Sequence, residues 1–349
     1  MAGACAIYRF PRQRQVTMVA APLSRVVLQQ SVAGIGDKSA FVIAPFQASA
    51  GQPVVMIEPN EVRQWDDVDA MQLPAMEWNF APTSSPSGTV DEAHYNKVFA
   101  AFHDQLQRGV CEKLVLARTM RVPCDTASAA VPMFVNACKR YPDAFVTLFS
   151  APQCGTWLIA TPEVLLQCEQ PAADVWHTMA LAGTRSIHDT TPWSTKNREE
   201  QQVVASYITR CLEPFASGEI SCQGPNTVTA GNVAHLRTDF RFTLDPTADV
   251  GSLIDTLHPT PAVCGMPKQR ARDFIVAHEG IDRAYYSGYS GPWNIAGERR
   301  LFVSLRCMQL LQDGCILYAG GGLLTASNPA DEWRETQAKL QTMSSLFTQ

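Results

Sequence analysis

The order of apolar and polar positions divides the chain into helices and strands. From Asp91 the residues Tyr95, Val98, Phe99, Phe102 and Leu106 recur at helical spacing, and Gly109 closes the run. Residues 112–118 alternate as a strand, with Lys113, Val115 and Ala117 on one face and Leu114, Leu116 and Arg118 on the other. The pattern predicts helices over 131–140, 196–212 and 268–278, paired strands over 145–149 and 156–160, and further strands over 179–185 and 285–293. Residues 301–309 and 315–320 read as a hairpin around Asp313-Gly314. Alternation in its first arm sets Phe302, Ser304, Arg306 and Met308 on one face. The second arm runs into Gly320-Gly321-Gly322, read as a glycine turn. A helix follows, capped by Asn328 with Pro329 at its first position. On that helix Glu332, Glu335 and Lys339 share a face, with Leu340 and Met343 on an adjoining apolar stripe.

The first 90 residues carry fewer signals. Strands are expected over 25–28, 40–44 and 53–57. Gly34-Ile35-Gly36 faintly resembles a dinucleotide-binding loop, but the third glycine is absent and no βαβ pattern follows, so it reads as a turn. Residues 81–90 are rich in turn formers. They are the expected boundary between a variable N-terminal portion of the same fold, 1–90, and a working portion, 91–349.

Composition narrows the class. The 349 residues are 46% hydrophobic and 17% charged, as in a globular chain of mixed α+β elements. A net charge of −5 supplies no basic footprint for nucleic acid. No apolar run is long enough to span a bilayer, and the N-terminus, with Arg9, Arg12 and Arg14 after its apolar run, does not read as a secretory signal. Eleven cysteines without a Cys-x-x-Cys pair suggest reduced thiols in a cytoplasmic protein rather than a zinc site.

Several charges stand in apolar settings. Lys113 opens a buried strand, and Glu163 lies between Pro162 and Val-Leu-Leu. Each is either a solvent-facing strand end or a cleft group with a shifted pKa. Glu199 and Glu200 suit the first turns of a helix, where the dipole favours negative charge; the functional alternative makes Glu200 a metal-binding carboxylate. Arg306, read as mid-strand, is a cross-strand ion-pair partner or a bidentate carboxylate clamp. Residues 257–267 hold three prolines and a glycine, too irregular for a helix or central strand and too apolar for a surface loop.

In chain order, eight stretches resemble the chorismate-utilising enzymes, which include isochorismate, salicylate, anthranilate and aminodeoxychorismate synthases. They are EKLVLAR at 112–118, ATPEVLL at 160–166, LAGTR at 181–185, KNREEQ at 196–201, HPTPAVCGMP at 258–267, SLRC at 304–307, YAGGGL at 318–323 and EWRETQAKL at 332–340. Ala182 stands where aminodeoxychorismate synthases carry a nucleophilic lysine, and the Pro-Thr-Pro-Ala form is similar to isochorismate synthases. Gln201 departs from the histidine that several of those enzymes place after the metal-binding glutamate.

The resemblance implies a sandwich of two large antiparallel sheets flanked by helices, acting as a monomer on chorismate with Mg²⁺. It implies Lys113 as the base that activates water and Glu163 as the acid that protonates the departing hydroxyl. Glu200 and Glu335 would bind the metal, with Glu332 and Glu199 beside them. Arg306, with the amides around Gly320 and Gly321, would grip the enolpyruvyl carboxylate, and Lys339 would support the site. Gly183 and Thr184 would line the ring pocket, and Ala262 and Val263 the wall beside the enolpyruvyl group. His258 would contact the leaving hydroxyl or position its loop. Competing outcomes are pyruvate elimination to salicylate, ammonia-dependent anthranilate formation, and a silent binding protein.

Overall fold

Two antiparallel sheets of nine strands each face one another in the computed structural model, which describes residues 3–74, 76–81, 88–230 and 233–347. Part of the expected boundary loop, residues 82–87, lies outside the described residues. Across the first sheet the strands are Gly265–Met266, Lys113–Pro123, Gly314–Leu323, Cys307–Leu311, Gly155–Thr161, Phe145–Ala151, Gly3–Arg9, Val16–Pro22 and Glu61–Trp65. Across the second they are Ser221–Ala230, Val233–Thr243, Val175–Ser186, Val164–Gln170, Glu298–Val303, Tyr289–Ile295, Ala40–Ala44, Val54–Ile57 and Val26–Gln29. The described helices are α1 (Glu92–Gln107), α2 (Thr126–Arg140), α3 (Thr195–Leu212), α4 (Val250–Leu257), α5 (Lys268–His278) and α6 (Pro329–Ser344). Strands from residues 3–65 enter both sheets, so this stretch shares the core of the remainder.

Alternation sorts each strand between two cores. In the Phe145–Ala151 strand, Phe145 and Phe149 point into the space between the sheets, while Val146 and Leu148 meet α2 and α6 outside. Phe145 stacks on Phe302 of the opposite sheet at 4.0 Å between ring centroids. Val204 and Ile208 of α3 and Leu253 and Ile254 of α4 cover the outer face of the second sheet. Phe99 and Phe102 of α1 and Ile275 of α5 cover Leu114 and Leu116 on the Lys113–Pro123 strand.

Three expected elements differ in a way that matters for the site. The stretch 301–309 is not one strand. It belongs to the second sheet through Val303, passes through Ser304, Leu305 and Arg306, and joins the first sheet at Cys307. The alternation flips across those three residues. Phe302 faces the interior before them and Cys307 after them, while Met308 packs outward with α2 and α6. Arg306 therefore does not share a face with Met308; it stands at the crossing with φ +47, a left-handed conformation that few non-glycine residues adopt. Nor are Gly320, Gly321 and Gly322 a turn, for they pair with Ala117, Leu116 and Val115 inside the Gly314–Leu323 strand. The aromatic strand expected over 285–293 begins later, at Tyr289, after a bend in which Ser287 has φ +62.

Candidate active site

The chain changes sheets twice at neighbouring places. Pro162 and Glu163 carry it from the first sheet to the second, and Ser304 to Arg306 carry it back. The crossings are tied together, because the Val303 amide donates to the Glu163 carbonyl at 2.9 Å and the Ala160 amide to the Arg306 carbonyl at 3.0 Å. Proline supports this geometry by removing a ladder donor and restricting the backbone beside Glu163. One buried carboxyl and one guanidinium are thus presented at the bend between the sheets.

The cavity at this bend is lined by Glu163, Gly183, Thr184, Glu200, Ala262, Val263, Arg306, Gly320 and Lys339 among the expected residues. His235, Tyr286 and Leu305 also line it. The structure does not bring His258 to the lining. Its Nε2 pairs with the Pro45 carbonyl at 3.0 Å and its ring packs edge-on against Tyr289, so it ties down the proline-rich loop. Glu199 is exposed on α3. Lys113, Gly321, Glu332 and Glu335 do not line it: Lys113 lies against Gly322, and the two glutamates lie against Gly321.

The glycine run is explained by crowding. An alanine Cβ at 322 would collide with Glu200 Oε1 and lie 2.9 Å from Lys113 Cε. At 321 it would lie 3.1 Å from Glu332 Oε2 and 3.5 Å from Glu335 Oε1, and at 320 it would lie 2.8 Å from the Tyr286 hydroxyl. The bare strand is a partition, with Glu200 and Lys113 over Gly322 and the α6 glutamates over Gly321. Gly183 has a second constraint, since φ +68 lets its amide donate to Glu200 Oε2 at 3.2 Å while its α-carbon packs against Asn197.

Each glutamate around the partition holds a lysine. Lys113 Nζ, fully buried, lies 2.8 Å from Glu200 Oε1, an ion pair set off the angle of a good hydrogen bond. Lys339 Nζ lies 2.6 Å from Glu335 Oε1 and donates to the Gly320 carbonyl at 2.8 Å. Lys196 pairs with Glu332 Oε1. Glu332 Oε2 is buried with no hydrogen bond. Burial and the neighbouring Glu335 charge push the Glu332 carboxyl up to about 7, against the pull of Lys196.

Among the described residues no three His, Cys, Asp or Glu side chains are already gathered as a metal site. The expected ligands are therefore not preassembled; they stand on two sides of the glycine strand, each with an ammonium. Their chemistry nonetheless fits a hard divalent cation. All donors are carboxylate oxygens, one buried oxygen is orphaned, and the bare glycine strand lets carboxylates reach over it from α3 and α6.

Glu163 and Glu200 differ in charge state. Burial pushes the Glu163 carboxyl up to about 8, and the charges of Lys113, Arg306 and Lys339 offset only part of that. Burial also acts to raise Glu200, but Lys113 in direct contact, with Lys196 and Lys339 farther off, brings its pKa below the usual glutamate value. The site thus offers a protonated carboxyl at the crossing and an ionised one beside the glycine strand.

His235, Lys196, Tyr286 and Gln201 were not marked as site residues by sequence reasoning. Burial and the charges of Arg306 and Lys339 hold His235 well below its ordinary pKa, so its ring is neutral. Its bonds assign the tautomer: Nδ1–H donates to the Gly183 carbonyl at 3.0 Å, and Nε2 accepts from Arg306 Nη2 at 3.0 Å. The available signal was the alternation of Ala234, Leu236, Phe240 and Phe242 along the Val233–Thr243 strand. Gln201 accepts the Ala182 amide at 2.8 Å and donates to the Ala180 carbonyl at 3.1 Å, clamping α3 to the strand that carries Gly183.

A family model described as chorismate binding enzyme matches residues 10–348. The salicylate biosynthesis isochorismate synthase of Pseudomonas aeruginosa is 32% identical over 291 residues, covering 78% of this chain and 59% of that protein. Isochorismate synthase EntC of Escherichia coli K12 is 28% identical over 246 residues, covering 68% of this chain and 62% of that protein. The chain therefore spans about three fifths of the length of these relatives. Among solved structures, Bacillus anthracis DhbC covers 99% of this chain with a TM-score of 0.79 at 23% identity. Escherichia coli MenF, the menaquinone-specific isochorismate synthase, covers 99% with a TM-score of 0.78 at 19% identity. Anthranilate synthase component I of Streptococcus pneumoniae covers 97% with a TM-score of 0.66 at 14% identity. At these identities the likeness is one of fold: an α+β sandwich of two antiparallel sheets.

Proposed function

We propose, for a chain that belongs to the chorismate-binding enzyme family, the Mg²⁺-dependent isomerisation of chorismate to isochorismate. Water adds at ring C2, the C4 hydroxyl departs, and the double bonds shift. Water is a poor nucleophile and hydroxide a poor leaving group, so the reaction wants a base at one end and an acid at the other.

The observation that carries the reading is a buried Glu163 carboxyl, protonated at neutral pH, in the same cavity as the Arg306 guanidinium and within the field of Lys113. Glu163 supplies the proton to the departing C4 oxygen. Lys113 is the base: paired with Glu200 as an ammonium, it must first give up its own proton, and the free amine then takes the proton of the attacking water. Arg306, oriented by neutral His235, receives the enolpyruvyl carboxylate, and the cavity face of Gly320 supports it. Gly183 and Thr184 line the ring, while Ala262 and Val263 wall the enolpyruvyl side.

Glu200 and Glu335 would hold Mg²⁺, with Glu332 beside them and Lys339 keeping Glu335 in place. Bound there, the ion would neutralise the ring carboxylate and polarise the ring toward loss of hydroxide. The relatives' names support this chemistry, since both are isochorismate synthases.

The test is incubation of the purified protein with chorismate and Mg²⁺, followed by chromatography. Isochorismate is the expected product. Fluorescent salicylate with pyruvate would assign the elimination instead, and anthranilate formed with ammonium salts would assign the amination. Tight chorismate binding without turnover would leave a binding protein.

A further inference from the structure

A second buried charge pair lies outside the cavity lining and takes no part in the steps above. Glu279 and Arg283 lie just beyond the end of α5, four residues apart, with side chains 1% and 3% exposed. The Arg283 fork grips Glu279 with Nε at 2.6 Å and Nη2 at 2.5 Å. Its other donors go to backbone, Nη1 to the Val263 carbonyl at 2.7 Å and Nη2 to the Val115 carbonyl at 2.9 Å. Glu279 Oε1 also accepts the Ala117 amide at 2.7 Å. The guanidinium carbon lies 4.5 Å from the Phe46 ring centre and 5.9 Å from that of Tyr286. The Tyr286 amide donates to the Arg283 carbonyl at 2.8 Å.

Every charged atom of the pair is bonded to protein, and neither residue lines the cavity at the sheet crossing. What it joins is informative. Val115, Val263 and Tyr286 all line the cavity, and they come from a strand, the proline-rich loop and a bend far apart in sequence. The same strand carries Lys113 at its start. A buried ion pair adds little net stability over apolar residues of the same size. Its planar fork does fix the direction and spacing of the groups it binds, which apolar packing does less sharply.

We propose that Glu279 and Arg283 are a positioning pair that sets the outcome of the reaction, by holding the Val263 loop and Tyr286 as a firm wall beside the enolpyruvyl group. The inference rests on the isochorismate reading above. After isomerisation a further step is open to the product. The ring C2 hydrogen can pass to the enolpyruvyl methylene carbon as the ring C3–oxygen bond breaks, giving salicylate and pyruvate with all atoms of isochorismate accounted for. That transfer requires the enolpyruvyl arm to fold over C2. A firm wall excludes the folded arm, and a loosened one admits it.

Arg283→Lys and Glu279→Gln test this against Arg9→Lys. Arg9 is another buried arginine, 3% exposed, bonded to the carbonyls of Phe10, Tyr141 and Pro142, none of which lines the cavity. Isochorismate is measured by chromatography, pyruvate by coupling to lactate dehydrogenase, and folding by thermal unfolding. Both pair variants should raise the pyruvate share of turnover several-fold, with kcat lower by about tenfold to a hundredfold. KM should change little, because Arg306 and Lys339 are untouched. Arg9→Lys should lower the unfolding temperature comparably and leave the product ratio unchanged. Glu279→Gln keeps the volume and can still accept the Ala117 amide, so the outcome does not hang on one variant folding. A product ratio in both pair variants equal to that of Arg9→Lys overturns the inference alone. A wild type that forms no isochorismate overturns the functional reading, and this inference with it.

Discussion

Glu163 and Glu200 are the same residue, both buried beside one cavity, yet they carry opposite charge states. Glu163 sits on a crossing between the sheets, where cations reach it only through space. Desolvation decides, and the proton stays on. Glu200 sits on α3, with an ammonium at 2.8 Å and a backbone amide at 3.2 Å. Contact decides there, and the proton leaves. Burial alone does not assign a charge; what matters is whether a donor touches the buried group. The fold uses that rule to place an acid at the crossing and a carboxylate at the glycine strand.

The most severe way to break the comparison is to remove its acid. Glu163→Gln keeps the shape but has no proton to give, and kcat should fall by about 10²–10⁴-fold with KM nearly unchanged. A loss below tenfold in steady-state kinetics would assign the acid elsewhere. Next is Lys113→Ala, which removes the proposed base and leaves Glu200 buried without its ion-pair partner. Turnover should be largely lost, and stability should fall by about 3–5 kcal/mol in denaturant titration. If Lys113→Ala kept near-normal rates, the base assignment would be wrong. Arg306→Lys comes third. A single ammonium replaces a two-pronged donor, and kcat/KM should drop about tenfold, mostly through KM.

Smaller effects sharpen the contrast. With the Glu163 pKa at about 8, turnover should decline as pH rises beyond that value, and this limb should vanish in Glu163→Gln. Stability should move in opposite directions for the two residues. The folded state holds the Glu163 proton while the unfolded chain releases it near the ordinary glutamate value. The stability associated with that proton is complete at low pH and is lost as pH rises from about 4.5 to about 8. Glu200, lowered in the folded state, contributes stability at neutral pH that is lost as pH falls through its depressed pKa. In chelator-treated protein, Glu163→Gln should therefore unfold at a higher temperature than wild type at pH 8, and Glu200→Gln should not. The mildest change is Glu335→Ala, which should raise the Mg²⁺ concentration needed for half-maximal activity with a lesser effect at saturation.

Several features were readable before any coordinates. Asn328 caps α6, accepting the amides of Ala330 and Asp331, and Glu332, Glu335 and Lys339 lie along that helix as their spacing requires. The Asp313-Gly314 hairpin forms between Cys307–Leu311 and Gly314–Leu323. Leu114 and Leu116 share a face, as the alternation around Lys113 predicts, and that face meets the helices α1 and α5. Strands Gly3–Arg9, Val16–Pro22 and Val233–Thr243 were not predicted. The first two are buried on both faces, so they show no clean alternation.

The sequence by itself determined which residues were anomalous. Local rules of spacing, capping and alternation act over a few positions, and a charge in an apolar run breaks them visibly. The ordered run of eight stretches then named the family. Only the tertiary structure decided that Gly320 to Gly322 are a strand kept bare for side chains reaching over it from α3 and α6. It also decided that Arg306 stands at a sheet crossing beside Glu163, and that His235 orients it. These facts depend on contacts between segments more than 70 residues apart, such as His235 with Arg306 and Glu200 with Lys113. No local period encodes them, because the side chains meet only when two sheets close on one cavity.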